Sequence, residues 1–128
     1  MIVAGIGCKR GTTVEEVEAA IDAALAAADE TREAIEIIAT SDGKGSETGI
    51  IEAAAARGVQ LVLVKPAALE AAGPRTQSSS PRVKELFGVP SVAEAAALAA
   101  AGPDAALLVP RIVVGPATCA LAGHKDGA

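Results

Sequence analysis

The chain contains no tryptophan, no tyrosine, one phenylalanine, one histidine and only two cysteines. Each scarcity excludes a class of function. Single-stranded nucleic acid is held by aromatic platforms in an electropositive groove, whereas this sequence has one aromatic ring, a net charge of −5 and a pI near 4.8. Nucleic acid is not an expected partner. Cys8 and Cys119 form no CxxC pair and have no histidine cluster beside them, so neither a metal site nor a disulfide framework is expected. Two reduced thiols are the default. No apolar run approaches the roughly 20 residues that cross a bilayer, and the N-terminal apolar stretch is too short and too early for a signal peptide. The expectation is a cytoplasmic protein that does not enter a membrane.

What is present is small and apolar. Of 128 residues, 51% are hydrophobic, which suits a single domain spanning 1–128. About a quarter of the chain is alanine, so the core must be built from small side chains packed closely.

The order of segments predicts alternating strands and helices. Met1 to Gly7 reads as an apolar strand, Cys8 to Gly11 as a loop, and Thr12 with Glu15 or Thr13 with Glu16 as a capping box. Val14, Val17, Ile21 and Leu25 then recur at helical spacing. Ala34 to Thr40 repeats the pattern as a second strand, followed by the polar stretch Ser41 to Ser46 and a helix that stops near Gly58. Val59 to Val64 is the most continuous apolar run, as expected at the centre of a parallel sheet covered on both faces. Pro66 to Ala72 follows as a short helix, and Gly73 to Pro81 as an exposed loop, the candidate lid. Ser91 with Glu94 opens an alanine-rich helix that Gly102-Pro103 ends. Ala105 to Val109, Arg111 to Val114 and Ala117 to Ala122 read as short strands divided by Pro110 and by a Gly115-Pro116 hairpin turn. The predicted fold class is α/β, a three-layer α/β/α sandwich with a mixed, mostly parallel sheet.

In such a sheet, ligands bind beyond the carboxyl ends of the strands. Those positions are basic: Lys9 and Arg10 after the first strand, Lys44 after the second, Lys65 after the third, and Arg75, Arg82 and Lys84 around the serine-rich loop. The loops lead into helix N-termini, which favour anions. Glycines at 5, 7, 11, 43 and 45 would admit a ligand close to the backbone, and Thr12 and Ser46 add hydroxyl donors. The spacing Gly5, Gly7, Gly11 is one residue too long for a dinucleotide fingerprint, and Ile38 stands where a P-loop needs glycine. No nucleotide cofactor is expected.

Candidates for chemistry are few. Cys8, beside Lys9 and before a helix N-terminus, has surroundings that lower a thiol pKa, yet His124 in the tail is no base for it. Asp42, Lys44 and Glu47 form a second cluster in which a carboxylate beside an ammonium has the makings of a general base. Ser78, Ser79 and Ser80 offer hydroxyls to a carboxylate ligand. Glu94 reads as a helix cap.

With these residues read, GIGCKRGTT followed by EE, then ATSDGK with E-T-G, then SSS with VKELFGVPSVAEAAAL, together resemble the CobE/CbiG C-terminal family of cobalamin biosynthesis. The likeness extends over nearly the whole chain, at the length of the stand-alone members. It carries over Gly5, Gly7, Cys8, Arg10 and Gly11 from the first motif and Thr40, Lys44 and Glu47 from the second. The third supplies Ser79, Ser80, Val83, Gly88, Val92 and Glu94. Arg111 stands where the family often has lysine. The resemblance implies a precorrin or corrinoid partner, and the carboxylate arms of such rings match a positive, glycine-lined crevice. The candidate ligand contacts are thus Gly7, Cys8, Lys9, Arg10, Gly11, Thr40, Asp42, Lys44, Glu47 and Ser78 to Ser80. A carrier without cofactor is the favoured expectation, with other enzymes of the pathway as further partners. The alternative implied by the fused family members is hydrolysis of a precorrin ring lactone, with Glu47 or Asp42 as base.

Overall fold

The structure is a computed structural model that describes residues 1–77 and 91–124. Among the described residues five strands and four helices follow in the order β1 (Ile2–Cys8), α1 (Val14–Ala27), β2 (Ile35–Ser41), α2 (Thr48–Arg57), β3 (Gln60–Val64), α3 (Pro66–Ala72), α4 (Val92–Ala101), β4 (Ala106–Val114) and β5 (Ala117–Gly123). The sheet order is β3-β2-β1-β5-β4. β1, β2 and β3 pair in parallel, while β5 runs antiparallel to both β1 and β4. Four strands therefore point one way and β5 alone opposes them, which makes the sheet mixed as expected.

Two layers of helix cover it. Alternation along the strands sends Ala4, Ile6 and Ile38 to one face, where Val17, Ile21, Leu25 and Ile50 of α1 and α2 pack on them. It sends Val3, Ala39, Val64 and Ala120 to the other, under Leu69 of α3 and the alanines of α4. Helix ends follow their sequence signals. Thr13 and Glu16 form the capping box of α1, Gly58 ends α2 at φ 66°, and the Ser91 hydroxyl accepts the Glu94 N–H at the start of α4.

α4 is buried on nearly every side because the sheet beneath it lacks a side chain. A Cβ on Gly5 would overlap the Ala93 carbonyl oxygen and stand 2.7 Å from the Ala97 nitrogen. Gly5 thus serves helix packing rather than ligand approach, a correction to its expected role.

Two further expectations are revised. β3 lies at the sheet edge, not the centre, and Leu63 is 40% exposed. Its run of apolar residues reflects partial cover from α2 on one face and from α3 and α4 on the other. β4 continues through Pro110 instead of breaking there. Proline is tolerated because β4 is the opposite edge and its register shifts between Val109 and Ile112. The Gly115-Pro116 turn does join β4 to β5, with Gly115 at φ 59°.

Candidate functional site

The loops after β1 and β2 emerge side by side at the carboxyl end of the sheet. The first is rigid. Lys9 N–H donates to the Pro116 carbonyl at 3.0 Å, tying it to the β4–β5 turn, and the Thr12 hydroxyl and N–H both donate to the Lys9 carbonyl, at 2.5 and 3.2 Å. The second winds through a short 3₁₀ turn, Asp42–Lys44, into α2.

A close contact locks the two together. A Cβ on Gly49 would collide with the Thr12 carbonyl, so only glycine lets the first turn of α2 press against the start of α1. That approach brings Glu47 Oε1 to 3.0 Å from the Gly11 N–H, which donates to it. Glu47 is the N-cap residue of α2, and its side chain leaves its own helix to hold the neighbouring loop.

Around this link the cations stand in water. Lys9 and Arg10 are exposed, Lys44 is half-buried, and Asp42 is exposed beside them. Cys8 lies beneath, half-buried at the end of β1. Burial pushes its thiol up, a hydrogen bond with Thr12 and the charge of Lys44 pull it down, and Glu47 pushes it up again, for a net rise from 9.0. The sequence suggested the reverse; desolvation outweighs the nearby ammonium, so Cys8 is a neutral thiol at pH 7.

Other candidates fall elsewhere. Thr40 is fully buried and its hydroxyl donates to the Ile6 carbonyl at 2.8 Å, which makes it a pin between β2 and β1 rather than a ligand contact. Arg75 is not on the basic rim, because its guanidinium donates to the Gly102 and Ala105 carbonyls at the far end of α4. Ser78, Ser79 and Ser80, with Arg82 and Lys84, lie outside the described residues. Among the described residues no three His, Cys, Asp or Glu side chains gather as metal ligands, and no helix is long and apolar enough to cross a membrane. An open depression of about 630 Å³ sits at the opposite end of the sheet, bordered by Glu30, Glu33, Glu36 and His124. Three carboxylates there disfavour an anionic ligand, so the basic end remains the candidate despite this cavity.

Sequence reasoning misread one buried polar residue and missed another. Glu94 is fully buried, and instead of closing a capping box it accepts the N–H of Gln77 at 2.7 Å and of Arg111 at 2.9 Å. The signal was available: it is the lone charged residue in the helix sequence VAEAAALAAA. Ser41, at the end of β2, is 4% exposed and its hydroxyl has no hydrogen-bond partner among the described residues. Nothing in the sequence distinguished it from a turn residue.

The comparisons with known proteins agree with this architecture. The family model "Cobalamin synthesis G C-terminus" matches residues 2–122. Protein CobE of Sinorhizobium sp is 39% identical over 122 residues, covering 95% of this chain and 79% of that protein. The crystal structure of CobE, a protein from the cobalamin (vitamin B12) biosynthetic pathway, superposes with a TM-score of 0.90 at 34% identity, over 95% of this chain and 89% of that one. Cobalt-precorrin-5A hydrolase of Priestia megaterium is 30% identical over 109 residues, which are 85% of this chain but 29% of that protein. The chain therefore belongs to the cobalamin synthesis G C-terminus family and is a CobE/CbiG-like cobalamin biosynthesis protein.

Proposed function

We propose that this domain binds a polycarboxylate precorrin or corrinoid intermediate at the carboxyl ends of β1 and β2 and carries or presents it to other enzymes of the pathway. The observation behind this reading is the Gly11–Glu47 link, which fixes two strand-end loops side by side and sets Lys9, Arg10 and Lys44 on one rim. Fixed loops hold the backbone beneath these cations in place before the ligand arrives, so ordering entropy is lost from their side chains and not from the loops. Several carboxylate arms on one ring then meet several cations, each contact modest and the sum substantial.

Titration of the purified protein with hydrogenobyrinic acid, followed by visible spectrum and gel filtration, tests it. Co-elution with an unchanged chromophore is expected. Lys44→Glu and Arg10→Glu should each weaken binding about tenfold, a loss near 1.4 kcal/mol. Unchanged affinity in both variants, with the fold intact, would refute the rim assignment.

A second reading is lactone hydrolysis, favoured by the 30% identity to cobalt-precorrin-5A hydrolase. Asp42 is then the better base, being exposed beside Lys44, whereas Glu47 is engaged by Gly11. Time-dependent conversion of an early precorrin at substoichiometric protein would establish this reading over the carrier.

A further inference from the structure

The Ser41 hydroxyl is buried, without a partner, at the mouth of the sheet. A buried hydroxyl left unbonded is costly, and native structures rarely keep one without a use. Its direction follows from strand alternation. Ile37 and Ala39 of β2 face α4, so Ser41 faces the same way. Gly5 pairs with Ala39 and Gly7 with Thr118. Continuing the register by two residues sets Ser41, Gly7 and Thr118 in one row across β2, β1 and β5.

That row lies at the N-terminal end of α4. From the Cβ position of Gly7, the Ala93 nitrogen is 3.8 Å away and the Thr118 hydroxyl oxygen 2.8 Å. The Thr118 hydroxyl donates to the Gly7 carbonyl at 3.1 Å. The Val92 and Ala93 N–H groups, first in the helix, have no acceptor within it. Glu94 follows in the same turn, but its oxygens accept the N–H groups of Gln77 and Arg111. Its charge is thereby engaged toward β4. The row thus combines an orphan hydroxyl with helix N–H donors close by, while at Gly7 itself the Thr118 hydroxyl and α4 leave no room for a side chain.

From this we infer a second subsite, on the α4 face of the sheet, in which Ser41 and the first turn of α4 donate hydrogen bonds to the carbonyl-type oxygen of one ligand side arm. The inference rests on the ring-binding reading above and extends it to the opposite face from Lys44 and Glu47. The arm is a carboxylate or a carboxamide, since both present such an oxygen.

The test is Ser41→Ala, with two readouts. Removing an unbonded buried hydroxyl should leave the melting temperature of the free protein unchanged or higher. Affinity for hydrogenobyrinic acid should fall about 10- to 100-fold, as for a hydrogen bond to a charged group. Excess propionate or propionamide should raise the melting temperature of the wild type and not of the variant, and the more effective of the two identifies an acid or an amide arm. If Ser41→Ala binds the corrinoid as tightly as wild type, the subsite is refuted while the ring-binding reading stands. If the wild type binds no corrinoid, that reading falls. The small probes then decide: a Ser41-dependent shift upholds the subsite, and its absence overturns it.

Discussion

Replacing Glu94 measures how much one buried carboxylate holds the α4 face together. The side chain is fully buried and joins three parts of the fold: α4, which carries it, Gln77 beyond α3, and Arg111 on the edge strand β4. Both bonds run from backbone N–H groups to a carboxylate, at 2.7 and 2.9 Å. Glu94→Gln preserves the shape and one acceptor but turns an amide N–H₂ toward the other donor. The loss expected is one charge-assisted hydrogen bond plus an unsatisfied N–H, about 1.5–3 kcal/mol. Glu94→Ala strands both donors and leaves a void, for about 3–5 kcal/mol. At about 2.1 cal/mol/K of unfolding entropy per residue, 1 kcal/mol moves the melting temperature of a domain this size by about 4 °C. The two variants should therefore melt about 6–12 °C and about 12–20 °C below wild type. The chain has no tryptophan or tyrosine, so far-UV circular dichroism in urea is the suitable probe, with the midpoint read at constant m. A Glu94→Gln protein within about 0.5 kcal/mol of wild type would show that the carboxylate does not bear on stability, and the reasoning would fail.

Three other outcomes follow from the packing. Gly5→Ala should cost more than about 3 kcal/mol or prevent folding, because its methyl overlaps the backbone of α4 and not a movable side chain; a soluble variant with wild-type urea midpoint would contradict the helix–sheet contact. Arg57, with its side chain 3% exposed, bonds Glu18 at 2.7 Å and Asp22 at 2.9 Å across α1 and α2. Arg57→Met should lose about 1–3 kcal/mol, less than for a fully buried pair because both acids reach solvent, and salt should narrow the difference in chemical denaturation. Burial pushes the Cys119 thiol from 9.0 up to about 12. Folding thus favours its neutral form, so its contribution is fully present below pH 9 and is lost as pH rises toward about 12. Cys119→Ala should flatten the fall in stability between about pH 9 and 11 measured by urea unfolding; equal slopes in the two proteins would refute this.

The local signals in the sequence needed no tertiary contact to act. The Thr13–Glu16 capping box, the glycine stop at Gly58 and the Gly115-Pro116 turn each depend on atoms a few residues apart and formed as read, and of the Ser91–Glu94 box the Ser91 half formed. The alternation of strands and helices likewise determined the α/β class. The basic character of the strand ends was legible for the same reason, since a residue directly after a parallel strand has one place to go.

Tertiary structure decided the rest. Whether β3 is central or at the edge depends on where the chain returns after α3, and no local pattern encodes that. Gly5 reads in sequence as a glycine that admits a ligand, and only the approach of α4 to the sheet shows it to be a packing position, as the approach of α2 to Thr12 does for Gly49. Glu47 and Gly11 are 36 residues apart, and their bond exists because the two helix starts are pressed together. Cys8 was judged by its neighbours in sequence, whereas its pKa is set first by burial. Composition and spacing determined the secondary elements and the charge of the rim. Long-range packing, through desolvation and close backbone contact, decided which of those residues face a ligand and which only hold the fold.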